Sequence, residues 1–331
     1  MSNLKPSLHE VALKSKTAFL LGIGGGGDII QTIPIYNYLT SLGVEKVYLA
    51  GVSCEWWSDE GTAVSDKPFA CILKPTVYDV KEIQGAKLVS PHLALVDGQC
   101  EVRGRKTPEM LVAEMFDVQG AVLGVGDSPA ELAKELDKAL EELDVDLFIG
   151  MDVGSDSFFS GEDEVKMPRT PLVDFISLGV MTKLSIPTFY GLAGYGCDGE
   201  LELDDLERNI GKVMRADGYL GAYGLSQRDA ADIFKICDQF PDPVEKWPAV
   251  AAKGELGAHR MMLTEPWGTT VRLSPLTAVT LFFDPQVLVE EVATAVKKIR
   301  DAGSLKEAED ILLKMNVLPE TRLVDVVEYL D

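Results

Sequence analysis

Three aspartates and a run of glycines carry the types and spacing in this chain that could do chemistry. Asp28 closes Gly22-Ile23-Gly24-Gly25-Gly26-Gly27, five glycines in six positions. Asp152 and Asp156 bracket a second turn, Val153-Gly154-Ser155. Glycine lets a backbone adopt positive φ and come close to a ligand, and free N–H groups at a helix start favour an anion. The expectation is therefore that Gly24, Gly25, Gly26 and Gly27 cradle the anionic part of a ligand, joined by Gly154 and Ser155. Arg169, beside Thr170 at the head of the next helix, would add a cationic contact. Asp28, Asp152 and Asp156 would hold or act on the ligand's polar atoms. Carboxylates suit hard cations, so the three could share Mg²⁺ with substrate oxygens. One could instead be a general base whose pKa its neighbours raise, or they could bind sugar or ribose hydroxyls directly. The sequence names no cofactor. Each aspartate alone also suits a cap or a turn, and Asp174, inside a predicted helix, divides between a solvated or capping role and a functional one.

The glycine run fits the dinucleotide fingerprint in form, as Gly22-x-Gly24-x-x-Gly27. That fingerprint wants an acid at the end of the second strand, about 20 residues on. Here the second strand ends near Ala50-Gly51, and the nearest acid is Glu55. Asp28 itself would repel a pyrophosphate unless it caps the helix or a cation intervenes. No Gly-Lys-Ser/Thr follows, so the Walker pattern is absent. Pro34 would cost a hydrogen bond in the second turn of a helix that began at Asp28. A helix opened by Thr32, with Pro34 in its first turn, avoids that cost and leaves a loop from Gly22 to about Gln31.

The elements that must position these residues alternate. Strands are predicted at 17–23, 46–50, 86–89, 120–125, 146–151 and 186–192, with helices at 32–42, 108–116, 129–143 and 171–184 between them. Helices follow at 203–216, 227–240 and 244–253. Strands are predicted at 261–264, 270–273 and 279–283, and C-terminal helices at 285–302, from Ser304, and at 323–330. The alternation gives an α/β fold, a Rossmann-like, mostly parallel sheet with helices on both faces. A single domain spans 1–331, with an irregular excursion at about 54–104 and a helical insertion at about 200–255. Ligands of open α/β sheets bind outside the carboxyl ends of the strands. Four glycine-containing loops, carrying Asp28, Asp127, Asp152 with Asp156, and Asp198, are expected on that edge. In the excursion, Trp56-Trp57 could stack on a base or sugar, and covering the sheet edge is the simpler role.

The chain has 331 residues, 46% hydrophobic and 25% charged, with a formal net charge of −22. That balance disfavours binding to nucleic acid or to an anionic membrane. No apolar stretch reaches the about 20 residues of a membrane span, and the start has no signal core, so a cytoplasmic location is expected. Homo-oligomerisation is left open. Five scattered cysteines without a Cys-x-x-Cys pair, and three separated histidines, exclude a zinc finger or ribbon. No Gly-x-Ser-x-Gly elbow occurs. Cys197 has no evident histidine partner for nucleophilic work.

Leu21-Gly22-Ile23-Gly24-Gly25-Gly26-Gly27-Asp28, Asp152-Val153-Gly154-Ser155-Asp156 and Pro171-Leu172-Val173-Asp174 together resemble the microbial family catalogued as domain of unknown function 1152. The resemblance covers nearly the whole chain and implies a Rossmann-like fold. That family often carries Gly-Gly where this chain has Gly154-Ser155, and it brings no established activity. Gly27-Asp28-Ile29-Ile30-Gln31-Thr32-Ile33-Pro34 is also similar to the first loop and helix of glycosyltransferases of the heptosyltransferase type, over about a dozen residues only. The first functional expectation is a phosphorylated or nucleotide-like small molecule, bound at the glycine loop and acted on there. A non-catalytic metabolite-binding module and a glycosyltransferase-like enzyme are the alternatives. A purely structural protein would have its glycine loop packed shut by side chains.

Overall fold

A computed structural model describes residues 5–56, 75–163, 171–240, 243–261 and 270–322. Helix α1 (Leu8–Ala12) precedes β1 (Thr17–Gly22). A 3₁₀ turn, Asp28–Gln31, leads into α2 (Thr32–Ser41) and β2 (Lys46–Val52). A small ribbon of β3 (Cys54–Glu55) and β4 (Thr76–Val77) follows, then β5 (Lys87–Ser90) and β6 (Leu93–Val96). Next come α3 (Pro108–Phe116), β7 (Gly120–Leu123), α4 (Pro129–Glu142), β8 (Leu147–Val153), α5 (Leu172–Met181) and β9 (Thr188–Ala193). Helix α6 (Leu203–Arg215) is followed by β10 (Tyr219–Gly224), α7 (Gln227–Cys237) and α8 (Trp247–Ala252). A second ribbon pairs β11 (Gly257–Arg260) with β12 (Thr270–Leu273). The described chain ends with β13 (Val279–Phe283), α9 (Pro285–Glu291), α10 (Val296–Ile299) and α11 (Leu305–Lys314).

One nine-stranded sheet runs β10-β13-β9-β8-β1-β2-β7-β6-β5. Its centre, β9-β8-β1-β2-β7, is parallel. Antiparallel strands flank it, β6 and β5 on one side, β13 and β10 on the other. Taken in chain order, the five parallel strands follow the 3-2-1-4-5 arrangement of a doubly wound fold. The winding reverses between β1 and β8, and a ligand crevice is expected where such a reversal occurs. The fold is α/β, as the alternation predicts.

Both faces of the sheet are covered because side chains alternate along a strand. Phe19 and Leu21 of β1 join one core with Leu132 and Leu136 of α4 and Phe175 and Ile176 of α5. Ala18 and Leu20 join the other with Ile33 and Leu39 of α2 and Ile233 and Ile236 of α7. The central strands are buried along nearly their whole length, as parallel strands under two helical layers must be. Truncating Leu136, 1% exposed, to Ala costs about 2–5 kcal/mol by the usual cavity penalty.

Three predicted boundaries change. The segment read as a helical insertion also supplies β10, an edge strand of the main sheet. The short strand expected near 86–89 is half of a hairpin whose other half is β6. The helix expected over 285–302 is two, broken at Val292, whose φ and ψ are −132° and −72°. The expected helix at 323–330 falls wholly, and the strand at 261–264 mostly, outside the described residues. Pro34 sits in the first turn of α2, as its missing N–H requires. Among the described residues, no helix is long and apolar enough to cross a membrane.

Candidate functional site

The reversal between β1 and β8 brings three carboxylates together. Asp28 begins the 3₁₀ turn after β1, Asp152 is the penultimate residue of β8, and Asp174 is the third residue of α5. Each offers an oxygen, and these lie within 4.8 Å of one another. All are buried, Asp152 and Asp174 most, at 1% and 2% exposure, and Asp28, Asp156 and Asp198 at 7%, 8% and 7%. Tyr190 of β9 donates its hydroxyl to Asp152 Oδ2. Asp174 Oδ1 is buried and has no hydrogen-bond partner. Its helix start favours negative charge, and the first two amides of α5 already bond the Glu320 carboxylate, at 2.8 Å each.

The glycine run explains itself by packing. Gly24 N–H donates to Asp28 Oδ2 at 2.7 Å, Gly26 N–H to the Cys54 carbonyl at 2.8 Å, and Gly27 N–H to Glu245 Oε1 at 3.0 Å. Asp28 thus bonds back across the turn and does not cap the 3₁₀ segment. A Cβ on Gly25 would stand 2.9 Å from Cys54 Cβ, and one on Gly26 2.9 Å from Trp56 Cδ1. Both glycines also hold positive φ, +87° and +60°. A Cβ on Gly24 would meet Asp174 Oδ1 at 2.5 Å, and one on Gly27 would meet Glu245 Oε1 at 2.6 Å. The loop is therefore covered by side chains, the condition a structural turn would meet. Yet much of the cover is carboxylate, and a merely structural turn has no reason to bury acids without counter-charges.

The second turn is locked in the same way. Ser155 gives its N–H to Asp198 Oδ2 at 2.9 Å and its hydroxyl to Oδ1 at 2.8 Å, and accepts from Leu201 N–H at 3.1 Å. Gly154 has φ +124°, and a Cβ there would stand 2.4 Å from the Asp198 carboxyl carbon. Gly154 and Ser155 hold Asp198 in place.

Burial and mutual repulsion push these acids up. The carboxyls of Asp28, Asp156 and Asp174 lie well above the usual range, first through burial and then through neighbouring carboxylates. Asp152 is raised by burial, with the Tyr190 hydrogen bond opposing. Burial raises Asp198 to about 6, Glu245 to about 7 and Glu320 to about 8. Like charges this close in a low-dielectric site do not all ionise unless something positive joins them. The set can therefore hold protons, a cation, or donors from a ligand.

Of the residues singled out in the sequence, Asp28 and Asp152 meet directly, and Asp156 lies close enough to Asp174 and Asp152 to be raised by both. Arg169 and Thr170 lie outside the described residues, as do Trp57 and Cys71. Asp127, on the loop after β7, is engaged elsewhere, bonding His92 Nε2 at 2.7 Å while Glu135 bonds Nδ1 at 2.5 Å. Cys197 is buried and its thiol is pushed far up by burial, which suits an inert core group. Phe158 and Phe159 belong to the core. Sequence reasoning left Asp174 undecided and gave no role to Glu245 or Tyr190. A lone acid in an otherwise apolar helix, Leu172-Val173-Asp174-Phe175-Ile176, is the signal for Asp174; Glu245 had none.

No curated protein and no solved structure matches the chain. The model of a family described as protein of unknown function (DUF1152) matches residues 19–325, nearly the whole chain, and the chain belongs to that family.

Proposed function

We propose that the site at the β1–β8 reversal binds a phosphorylated or nucleotide-like small molecule, and that its acids face the polar atoms of that molecule. One observation carries the reading. A 3₁₀ turn, a strand end and a helix start deliver buried carboxylates to one point, and one of their oxygens, Asp174 Oδ1, has no partner. Burying charge in this way costs several kcal/mol per ion unless it is compensated, so a bound group is the natural complement. The contact differs from that expected of the glycines. The amides of Gly24, Gly26 and Gly27 are already bonded within the protein, so recognition falls to the carboxylates. Ribose or sugar hydroxyls can donate to Asp156 and Asp198, whereas a phosphate approaches only with positive charge between it and the acids.

A thermal-unfolding panel tests this reading, with nucleotides, sugar phosphates, inorganic phosphate and unphosphorylated sugars, each with and without Mg²⁺. A ligand at 100 times its Kd adds about 2.7 kcal/mol of stability. Stabilisation by one phosphorylated class, lost in Asp152→Asn and Asp156→Asn, is the expected result. An unchanged response in both variants argues strongly against it. Turnover of the stabilising compound separates an enzyme from a binding module.

A further inference from the structure

From the acids of this site we infer a divalent-cation centre held by Asp28, Asp152 and Asp174, of the oxygen-ligated class to which Mg²⁺, Mn²⁺ and Ca²⁺ belong. The three carboxylates come from three separate elements, and each contributes an oxygen to a group no wider than 4.8 Å. Two oxygens bound to one cation can be no further apart than twice the bond length, about 4.2 Å for Mg²⁺ and about 4.6–5.2 Å for Ca²⁺, so a spread of up to 4.8 Å suits an ion of Ca²⁺ size as it stands and a smaller ion once the carboxylates close by a few tenths of an ångström. All three ligands are oxygen, which selects against softer metals. Asp156, expected from its sequence position to complete such a set, gives way to Asp174.

A second observation is independent of the acid count. Asp174 Oδ1 is buried, unpartnered and turned towards Gly24, within reach of Asp28 Oδ2. Among the described residues it has no hydrogen-bond partner. The other two ligands are oriented by hydrogen-bond donors of the protein. Tyr190 holds Asp152 through Oδ2, and Gly24 N–H holds Asp28 through Oδ2 at 2.7 Å. Metal-ligating carboxylates are commonly fixed by such outer hydrogen bonds. Three carboxylates against one divalent ion leave the site with one residual negative charge. Coordination positions not filled by protein are available to water and to ligand oxygens, and for that last role the inference rests on the proposed ligand.

The experiment uses the full chain, stripped with EDTA, and Mn²⁺ alone. Binding is followed by the electron paramagnetic resonance signal of free Mn²⁺ and by thermal unfolding. One Mn²⁺ per chain is expected, displaced by Mg²⁺ or Ca²⁺. Asp174→Asn should weaken binding by more than the roughly 10–100-fold that loss of an outer hydrogen-bond partner costs. In EDTA the same variant should melt at or above the wild type, because without an ion the crowded carboxyls must repel one another or take up protons; a residue of merely structural value would lower the melting temperature. Asp127→Asn, away from the site, should bind as the wild type. Failure of the wild type to take up Mn²⁺, or equal binding by both Asp174→Asn and Asp152→Asn, overturns the centre. A phosphorylated compound that stabilises EDTA-treated protein as strongly as Mn²⁺-treated protein overturns the cation and leaves the ligand reading intact. Mn²⁺ uptake with no response to any phosphorylated compound does the reverse.

Discussion

Asp174 occupies the space that a side chain on Gly24 would need: a Cβ there would stand 2.5 Å from Asp174 Oδ1 and 2.8 Å from Asp28 Oδ2. The glycine is thus required by a carboxylate 150 residues away in the sequence. Gly24→Ala should displace both acids, cost about 1–3 kcal/mol through overpacking, and abolish stabilisation by Mn²⁺. Chemical unfolding with and without Mn²⁺ reads both effects. A variant that keeps the Mn²⁺ response would show that the two carboxylates do not work together.

Tyr190 tests how firmly Asp152 must be held. Its ring stays packed against Phe158, at 5.8 Å between centroids, when the hydroxyl is removed. Tyr190→Phe therefore leaves the core filled and deletes one donor to Asp152. Mn²⁺ affinity should fall about 10–100-fold. Titration of the variant beside the wild type measures this, and unchanged affinity would confine Tyr190 to packing.

Ser155→Ala should destabilise the protein by about 1–3 kcal/mol, since it strips the hydroxyl donor from a buried carboxylate. The lost bonds are those to Asp198 at 2.8 and 3.0 Å, together with the one accepted from Leu201 N–H at 3.1 Å. Urea unfolding gives the number. A loss near zero would mean that Asp198 is protonated or held well enough by the Ser155 amide alone.

Glu109 gives the molecule a pH dependence apart from the acid cluster. It is 3% exposed on α3 and lies against Gly51, and burial raises its carboxyl from 4.5 to about 7. The folded state therefore binds this proton more tightly than the unfolded chain does. The stabilisation is complete below about pH 4.5 and is lost as pH rises through about 7. Glu109→Gln removes the titration, so the melting temperature of the variant should gain on that of the wild type between pH 5 and pH 8. A constant difference across that range would show that Glu109 is already ionised in the fold.

Much of the frame was legible because its signals are local. The apolar run into Gly22, Thr107 and Ser128 ahead of Pro108 and Pro129, and the position of Pro34 each set an element boundary that the fold keeps. Strand β10 was not, since Tyr219-Leu220-Gly221-Ala222-Tyr223-Gly224 carries two glycines and half-exposed positions, and only its pairing with β13 makes it a strand. Within the site, Asp28 and Asp152 could be named from topology, because the residues after parallel strands share one edge. Asp174 and Glu245 could not be placed, because helix packing brings them there. Close packing against Cys54, Trp56 and carboxylates gives the glycine run a reason that its sequence, read as an anion cradle, does not show.

The most direct measurement is an anomalous difference map from crystals grown with Mn²⁺. The expected result is one peak at the β1–β8 reversal, about 2.1–2.5 Å from oxygens of Asp28, Asp152 and Asp174. A map with no peak there, under conditions in which free Mn²⁺ is in the millimolar range, would contradict it and leave these acids paired by shared protons.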